Sequence, residues 1–291
     1  MAVIIDGKRI AQQIKTELKE EILKLKEAGI VPGLAAVLVG NNPASALYVN
    51  MKQKACNKLG IYSEKITKPD DYPEAELLNL IDSLNKRDDI HGILIQSPLP
   101  EHIDEGKAIL RVDPRKDVDG FHPINQGLML AGRPMFLPAT PSGIVELLWR
   151  SGNKPAGKHV VILGRGYLVG RPLAVLLALK NQKGNATVTL CHTGTPDIYK
   201  IARQADILVA AMGKAKYVTK EMVKPGAVVV DVGTNKIPDP NHPKGERLVG
   251  DVDFEEVKEI AGAITPVPGG VGPMTIAMLL SNTVKATKQG L

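Results

Sequence analysis

Residues 160–172 read Val-Val-Ile-Leu-Gly-Arg-Gly-Tyr-Leu-Val-Gly-Arg-Pro, an apolar strand running straight into a glycine turn and a helix start. That order restricts the fold more than any other feature. It sets a turn tolerant of positive φ beside backbone N–H groups at a helix N-terminus, the layout that receives a pyrophosphate. Short apolar runs at 159–163, 187–191, 207–212 and 227–232 follow one another with helical segments between them. The rhythm predicts a parallel, doubly wound α/β sheet. Aromatic residues are only 3% of the chain, so Val, Ile, Leu and Ala must fill the core, as they do in strands covered on both faces.

The glycines, Gly164, Gly166 and Gly170, are spaced G-x-G-x-x-x-G, one residue longer than the usual dinucleotide fingerprint. A tight turn without a ligand is the alternative reading of that pattern alone. The next strand sharpens it. An NAD site places an acid near the end of this strand for the ribose 2′-hydroxyl. Here 187–191 ends in His192-Thr193-Gly194, and no acid comes before Asp197. Arg165 lies in the glycine turn, where its planar donor fork suits a 2′-phosphate. NADP is favoured over NAD.

The N-terminal half is organised differently. Apolar residues recur at Ile10, Ile14, Leu18, Ile22 and Leu25, a helical stripe that Gly29 stops. A strand is expected at 34–39, then a helix capped by Ser45 and ended by Gly60, then a strand at 90–96 cut by Ser97-Pro98. The stretch 133–143 is rich in turn residues and ends in Thr140-Pro141, a cap followed by proline, so a domain boundary is placed there. On a helical wheel Tyr48, Lys52, Ala55, Cys56 and Leu59 share one stripe about 100° wide, the width of a buried face. Lys52 stands in its middle. Either it snorkels past its neighbours to water, or it is a desolvated amine whose lowered pKa makes it a proton acceptor. Gln96 and Asp119 are polar groups at a strand end and in a loop, each a weak signal alone.

Composition narrows the function classes. Lys plus Arg exceed Asp plus Glu by 37 to 31, a net charge of +6, which suits acidic small molecules as well as nucleic acid. No basic-aromatic stripe accompanies it, which disfavours nucleic acid. Two cysteines, Cys56 and Cys191, exclude a disulfide framework and fit a reducing compartment. No C-x-x-C or H-E-x-x-H pairing exists, so no metal is expected. The N-terminus has no signal-peptide layout and no apolar run reaches a membrane span, so a cytoplasmic location is expected.

Six motifs together resemble the bifunctional methylenetetrahydrofolate dehydrogenase/cyclohydrolase family. They are S-x-x-Y-V-x-x-K-x-K-A-C from Ser45, G-I-L-I-Q-x-P-L-P from Gly92 and K-D-V-D-G-F-H-P-x-N from Lys116. P-x-T-P-x-G-I from Pro138, G-D-V-D-F from Gly250 and T-P-V-P-G-G-V-G-P-M-T from Thr265 complete the set, which spans nearly the whole chain. The resemblance implies an α/β catalytic, folate-binding domain at 1–139, rejoined by a C-terminal helix at 272–291. It further implies a Rossmann-like NADP-binding domain at 140–271, with a cleft between the two, and a cytoplasmic homodimer. The implied reaction is oxidation of 5,10-methylenetetrahydrofolate with NADP, then hydrolysis of the methenyl product to 10-formyltetrahydrofolate.

Residue roles follow by the same resemblance. Lys52 matches the catalytic lysine, Tyr48 the residue that stacks on and steers the folate, Gln96 the lysine's hydrogen-bonding partner and Asp119 the pterin anchor. Ile95 and Ser97 flank the substrate, and Pro266, Pro268, Gly269, Gly270, Val271 and Gly272 close over it. Gly164, Arg165, Gly166, Thr193 and Thr234 match NADP contacts. The chain departs from the family at Gly166, where a serine hydroxyl is usual, and at Gly194, where a basic residue is common; both weaken the expected hold on NADP and leave NAD use open. Thr193 replaces a serine and keeps its hydroxyl, Ser97 replaces an apolar residue, and Ala139 stands where Cys is common. The alternatives are a dehydrogenase without the hydrolase activity and, from another class, a basic binding module on an inactive Rossmann domain.

Overall fold

The computed structural model describes residues 1–240 and 245–290. Leu291, the last residue of the expected C-terminal helix, lies outside the described residues. In chain order the elements begin β1 (Val3–Ile4), α1 (Gly7–Glu27), β2 (Gly33–Val39), α2 (Pro43–Leu59), β3 (Tyr62–Lys68), α3 (Glu74–Asn85) and β4 (Gly92–Ile95). There follow α4 (Glu105–Arg111), α5 (Pro123–Leu130), α6 (Ala139–Arg150), β5 (His159–Leu163), α7 (Gly170–Ala178), β6 (Thr187–Cys191) and α8 (Ile198–Ala202). The chain ends with β7 (Ile207–Ala210), β8 (Val228–Asp231), β9 (Asn235–Pro238), β10 (Glu246–Val249), α9 (Phe254–Val257), β11 (Ala263–Ile264) and α10 (Val271–Gln289). Among the described residues, no helix is long and apolar enough to cross a membrane.

The chain divides into two compact α/β units. One comprises Met1–Gln12 and Thr140–Thr275, the other Gln13–Ala139 and Ile276–Leu291. In the first, six strands form a sheet in the order β1-β11-β8-β7-β5-β6, every pairing parallel. Val160, Val161, Ile162 and Leu163 are buried, and Leu208, Val209 and Ala210 beside them likewise, so β-branched and small aliphatic side chains fill both faces. The chain leaves β5 toward β6 on one side and later toward β7 on the other. That reversal is a topological switch point, where a doubly wound sheet opens a crevice at its carboxyl edge. The sequence places residues 1–12 with the N-terminal domain, but β1 adds to this sheet's edge through Val3↔Ala263 and Ile4↔Ile264. Two residues carry no periodicity to announce such a strand.

The second unit holds a three-stranded parallel sheet, β3-β2-β4. All seven residues of central β2 are buried. Here too the first strand sits between the next two, giving a second switch point. Helix α2 follows β2 and is capped by Asn42, whose side chain accepts from the N–H of Ala44 and Ser45 at 3.0 and 3.1 Å, with Pro43 next in line. The cap is therefore Asn42 and not Ser45, which lies buried inside the helix. Gly60, at φ 77°, closes the other end and donates to the carbonyls of Asn57 and Cys56. Helix α6 likewise starts at Ala139, which places Thr140 within it and not at its cap. The expected strands at 90–96, 207–212 and 227–232 are shorter, at Gly92–Ile95, Ile207–Ala210 and Val228–Asp231. Within α10, Asn282 donates to the carbonyls of Val118 and Leu137 at 2.8 and 2.9 Å.

Candidate active site

Lys52 lies on the inner face of α2. The buried positions of that helix are Ser45, Val49, Lys52 and Cys56. The stripe is rotated from the one expected: Val49 is buried in place of Tyr48, which stands at its margin, 40% exposed. Lys52 itself is only 8% exposed. Its Nζ donates to Gln96 Oε1 at 3.0 Å. Gln96 follows β4 directly, and its own Nε2 donates to the Ser97 carbonyl at 2.8 Å. That second bond fixes the amide so that its oxygen, not its nitrogen, faces the amine. Burial pushes the Lys52 pKa below the ordinary lysine value, and the charges of Asp119 and Cys56 oppose it. The amine is desolvated and held, not snorkelling.

Asp119 is raised to about 6, first by burial and next by the nearby Asp117 charge, against the pull of Lys52. The loop that carries it is shaped by Asp117, a carboxylate 5% exposed. Asp117 Oδ1 accepts from the N–H of Gly120 and Phe121 at 3.1 and 3.2 Å. Its Oδ2 accepts from the N–H of His122 at 2.8 Å and from Asn125 Nδ2 at 2.7 Å. The Lys116 carbonyl accepts from Ile93 N–H, which ties the loop to β4. Ile95, Ser97 and Asp119 also meet around a recess of about 20 Å³, too small for a ring. Ser97 Oγ donates to Glu105 Oε1 at 2.6 Å, so its hydroxyl, unexpected at that position, has a fixed partner.

The glycine turn behaves as a cradle. Gly164 follows β5 at φ 115°, and a Cβ there would come 2.1 Å from the Ala211 carbonyl oxygen. At Gly170 a Cβ would come 1.9 Å from the Gly164 oxygen, so α7 starts in direct contact with the turn. Gly166 differs: nothing lies within 4 Å of its Cβ position, and its surroundings are open. A recess of about 490 Å³ lies at the carboxyl ends of β5, β6 and β7, within the usual size range of small-molecule sites. Gly164, Arg165 and Gly166 line it from the first turn, and Thr193 from the second. None of its lining residues is acidic. These features suit an anionic nucleotide. Thr234 is exposed in the turn after β8 and does not line this recess. Pro266, Pro268, Gly269, Gly270, Val271 and Gly272 lead from β11 into α10, with a cis bond before Pro268 and Gly269 at φ 117°. They belong to the first unit, as the glycine turn does; Tyr48, Lys52, Ile95, Gln96, Ser97 and Asp119 belong to the second.

Two features that shape the recess, one behind its lining and one on it, carry little signal in the sequence. Asp251, from the G-D-V-D-F run, is fully buried. Its carboxylate accepts from the N–H groups of Met212, Gly213 and Lys214 at 2.6, 2.9 and 2.9 Å, which fixes the turn after β7. Asp231, raised to about 6 first by burial, accepts in turn from the N–H of Asp251 and Val252. The second missed feature is a pair of basic side chains on the lining, His192 and Lys214. A lysine four residues beyond a strand gives no sequence signal, because most such residues are solvated.

Comparison with known proteins agrees in both units. The profile of the tetrahydrofolate dehydrogenase/cyclohydrolase catalytic domain matches residues 5–119, and that of the family's NAD(P)-binding domain matches residues 138–291. Similar proteins include the bifunctional protein FolD of Dehalococcoides mccartyi strain BAV1, 57% identical over 99% of this chain and 97% of that one. That of Chlorobium phaeovibrioides is 53% identical over 97% of each. Among solved structures, the bifunctional FolD dehydrogenase/cyclohydrolase of Campylobacter jejuni superposes with a TM-score of 0.94, at 47% identity over 100% of both chains. The Trypanosoma brucei FolD, complexed with NADP cofactor and inhibitor, gives 0.93 at 41% identity over 99% of this chain and 98% of that one. The chain belongs to the tetrahydrofolate dehydrogenase/cyclohydrolase family.

Proposed function

We propose that the protein oxidises 5,10-methylenetetrahydrofolate to the 5,10-methenyl compound with NADP and then hydrolyses that product to 10-formyltetrahydrofolate. The observation that carries this reading is the buried Lys52 amine bonded to an oriented Gln96. Bound NADP would accept the hydride that leaves the methylene carbon. Gly164, Arg165, Gly166 and Thr193 would hold it, with Thr234 a further contact. The oxidised folate is a cation, its charge shared between the two flanking nitrogens. A charged ammonium beside it would be repelled. A neutral Lys52 instead takes a proton from water as the oxygen attacks the methenyl carbon; the bond from that carbon to N5 then breaks as N5 takes up a proton and the new hydroxyl loses one, which leaves the formyl group on N10.

The remaining roles follow the same chemistry. Tyr48, at the exposed margin of α2, offers a ring face on which a pterin stacks. Asp119 anchors the pterin's donor groups, Ile95 and Ser97 flank it, and Pro266, Pro268, Gly269, Gly270, Val271 and Gly272 cover it. The family resemblance supports a cytoplasmic homodimer acting on polyglutamylated folate, with neither nucleic acid nor membrane as partner. The direct experiment is a coupled assay on purified enzyme with methylenetetrahydrofolate. Reduction of NADP should exceed that of NAD, and methenyl absorbance should rise and then decay. Methenyl compound that accumulates without decay would mark a dehydrogenase lacking the hydrolase step.

The pH dependence has a defined sign. Hydrolysis needs Lys52 neutral, so its rate rises as pH increases through the lysine's lowered pKa. Asp119, ionised above about pH 6, opposes that lowering. In Asp119→Asn the opposing charge is gone, the lysine pKa falls further, and the rising limb of the hydrolysis profile moves to lower pH. A limb that stays in place or moves toward alkaline pH contradicts the pairing.

A further inference from the structure

The turn after β6 supplies no basic side chain beyond Thr193, because Gly194 stands there. A single guanidinium, that of Arg165, would then face a dianionic 2′-phosphate. The recess carries another cation in a different place. Lys214 lines it from the turn after β7, together with Arg165, His192 and Thr193. Its backbone is pinned, since its N–H donates to the buried Asp251 at 2.9 Å. Its ammonium lies 4.6 Å from the centroid of the Tyr217 ring, also part of the lining. A cation over an aromatic face is held without a counter-ion, so its charge stays available to an incoming anion. No carboxylate on the lining competes for it.

We propose that Lys214 is a specificity-determining residue that supplies the second positive charge for the 2′-phosphate of NADP, in place of the one missing at Gly194. The assignment rests on the NADP reading. The geometry explains how the chain tolerates two departures at once. Gly166 removes a hydroxyl and Gly194 a cation, yet the flexible Lys214 stem starts from a fixed backbone on the neighbouring strand's turn. The amine is a point charge and donates up to three hydrogen bonds, so it meets a phosphate from a range of directions.

The test uses binding and not turnover. The full-length enzyme is titrated calorimetrically with 2′,5′-ADP and with 5′-AMP, which differ by the 2′-phosphate. Wild type, Lys214→Gln and Lys214→Arg are compared, with thermal melts to establish that each is folded. Lys214→Gln should weaken 2′,5′-ADP by about tenfold, the scale of one charge-assisted hydrogen bond, and leave 5′-AMP within about twofold. Lys214→Arg should retain most of the affinity. The salt dependence of 2′,5′-ADP binding should also flatten in Lys214→Gln. Equal weakening of both ligands would place Lys214 at the adenine or the 5′-phosphate and overturn the proposal, as would no change in either. Wild-type enzyme that binds 2′,5′-ADP no better than 5′-AMP would overturn the NADP reading itself, a different outcome from either.

Discussion

Lys52→Met is expected to slow methenyl hydrolysis by roughly 10²–10⁴-fold, the contribution of a lost general base, while hydride transfer declines far less. The asymmetry follows from the chemistry of the two steps. Hydride departure needs the folate aligned and creates a cation shared by two nitrogens; no proton is abstracted. Water attack does need a proton acceptor, and the Lys52 amine is the buried nitrogen held by Gln96 at 3.0 Å. Methionine has a similar length and apolar character, so it fits among Ser45, Val49 and Cys56 without a charge to desolvate. The change should leave the fold intact, and a melt checks this. Separate progress curves, NADPH formation from the methylene compound and decay of supplied methenyl compound, give the two losses. Equal losses would show that the amine serves alignment in both steps and not proton transfer in one.

How much of this was readable beforehand depends on the range over which each signal acts. The strands 159–163 and 187–191 match His159–Leu163 and Thr187–Cys191, because β-branched runs bounded by turn residues are local features. Lys52 on a buried face was legible for the same reason: one wheel position with the wrong polarity stands out. The wheel was nonetheless rotated, since Tyr48 is exposed and Val49 buried, and the cap lies three residues earlier at Asn42. An amphipathic helix with alanines on several faces does not define its inner face sharply. Long-range features left no trace. β1 pairs with residues some 260 positions later. Asp117 and Asp119 flank a single valine and look equivalent in sequence, although one is a structural acceptor and the other faces the lysine. Which neighbours donate to Asp117 is decided by a turn that only the fold specifies.

That difference makes Asp117→Ala the second large effect. The carboxylate is the acceptor for three backbone N–H groups, those of Gly120, Phe121 and His122, and for the Asn125 amide. A buried donor left unpaired costs roughly 1–3 kcal/mol, so removing their shared acceptor should lower the unfolding free energy by roughly 3–5 kcal/mol. Urea denaturation measures it. From the other side Asn282 donates to the carbonyls of Val118 and Leu137, two bonds that bracket the same loop. Asn282→Ala should cost less, about 1–2 kcal/mol, because a carbonyl tolerates loss of a donor better than buried N–H groups tolerate loss of their acceptor. Both substitutions act on the segment that carries Asp119, so in the double variant the second change should cost less than it does alone. An Asp117→Ala protein within about 1 kcal/mol of wild type would mean that the loop satisfies its donors another way, and that Asp119 owes its place to something other than this clamp.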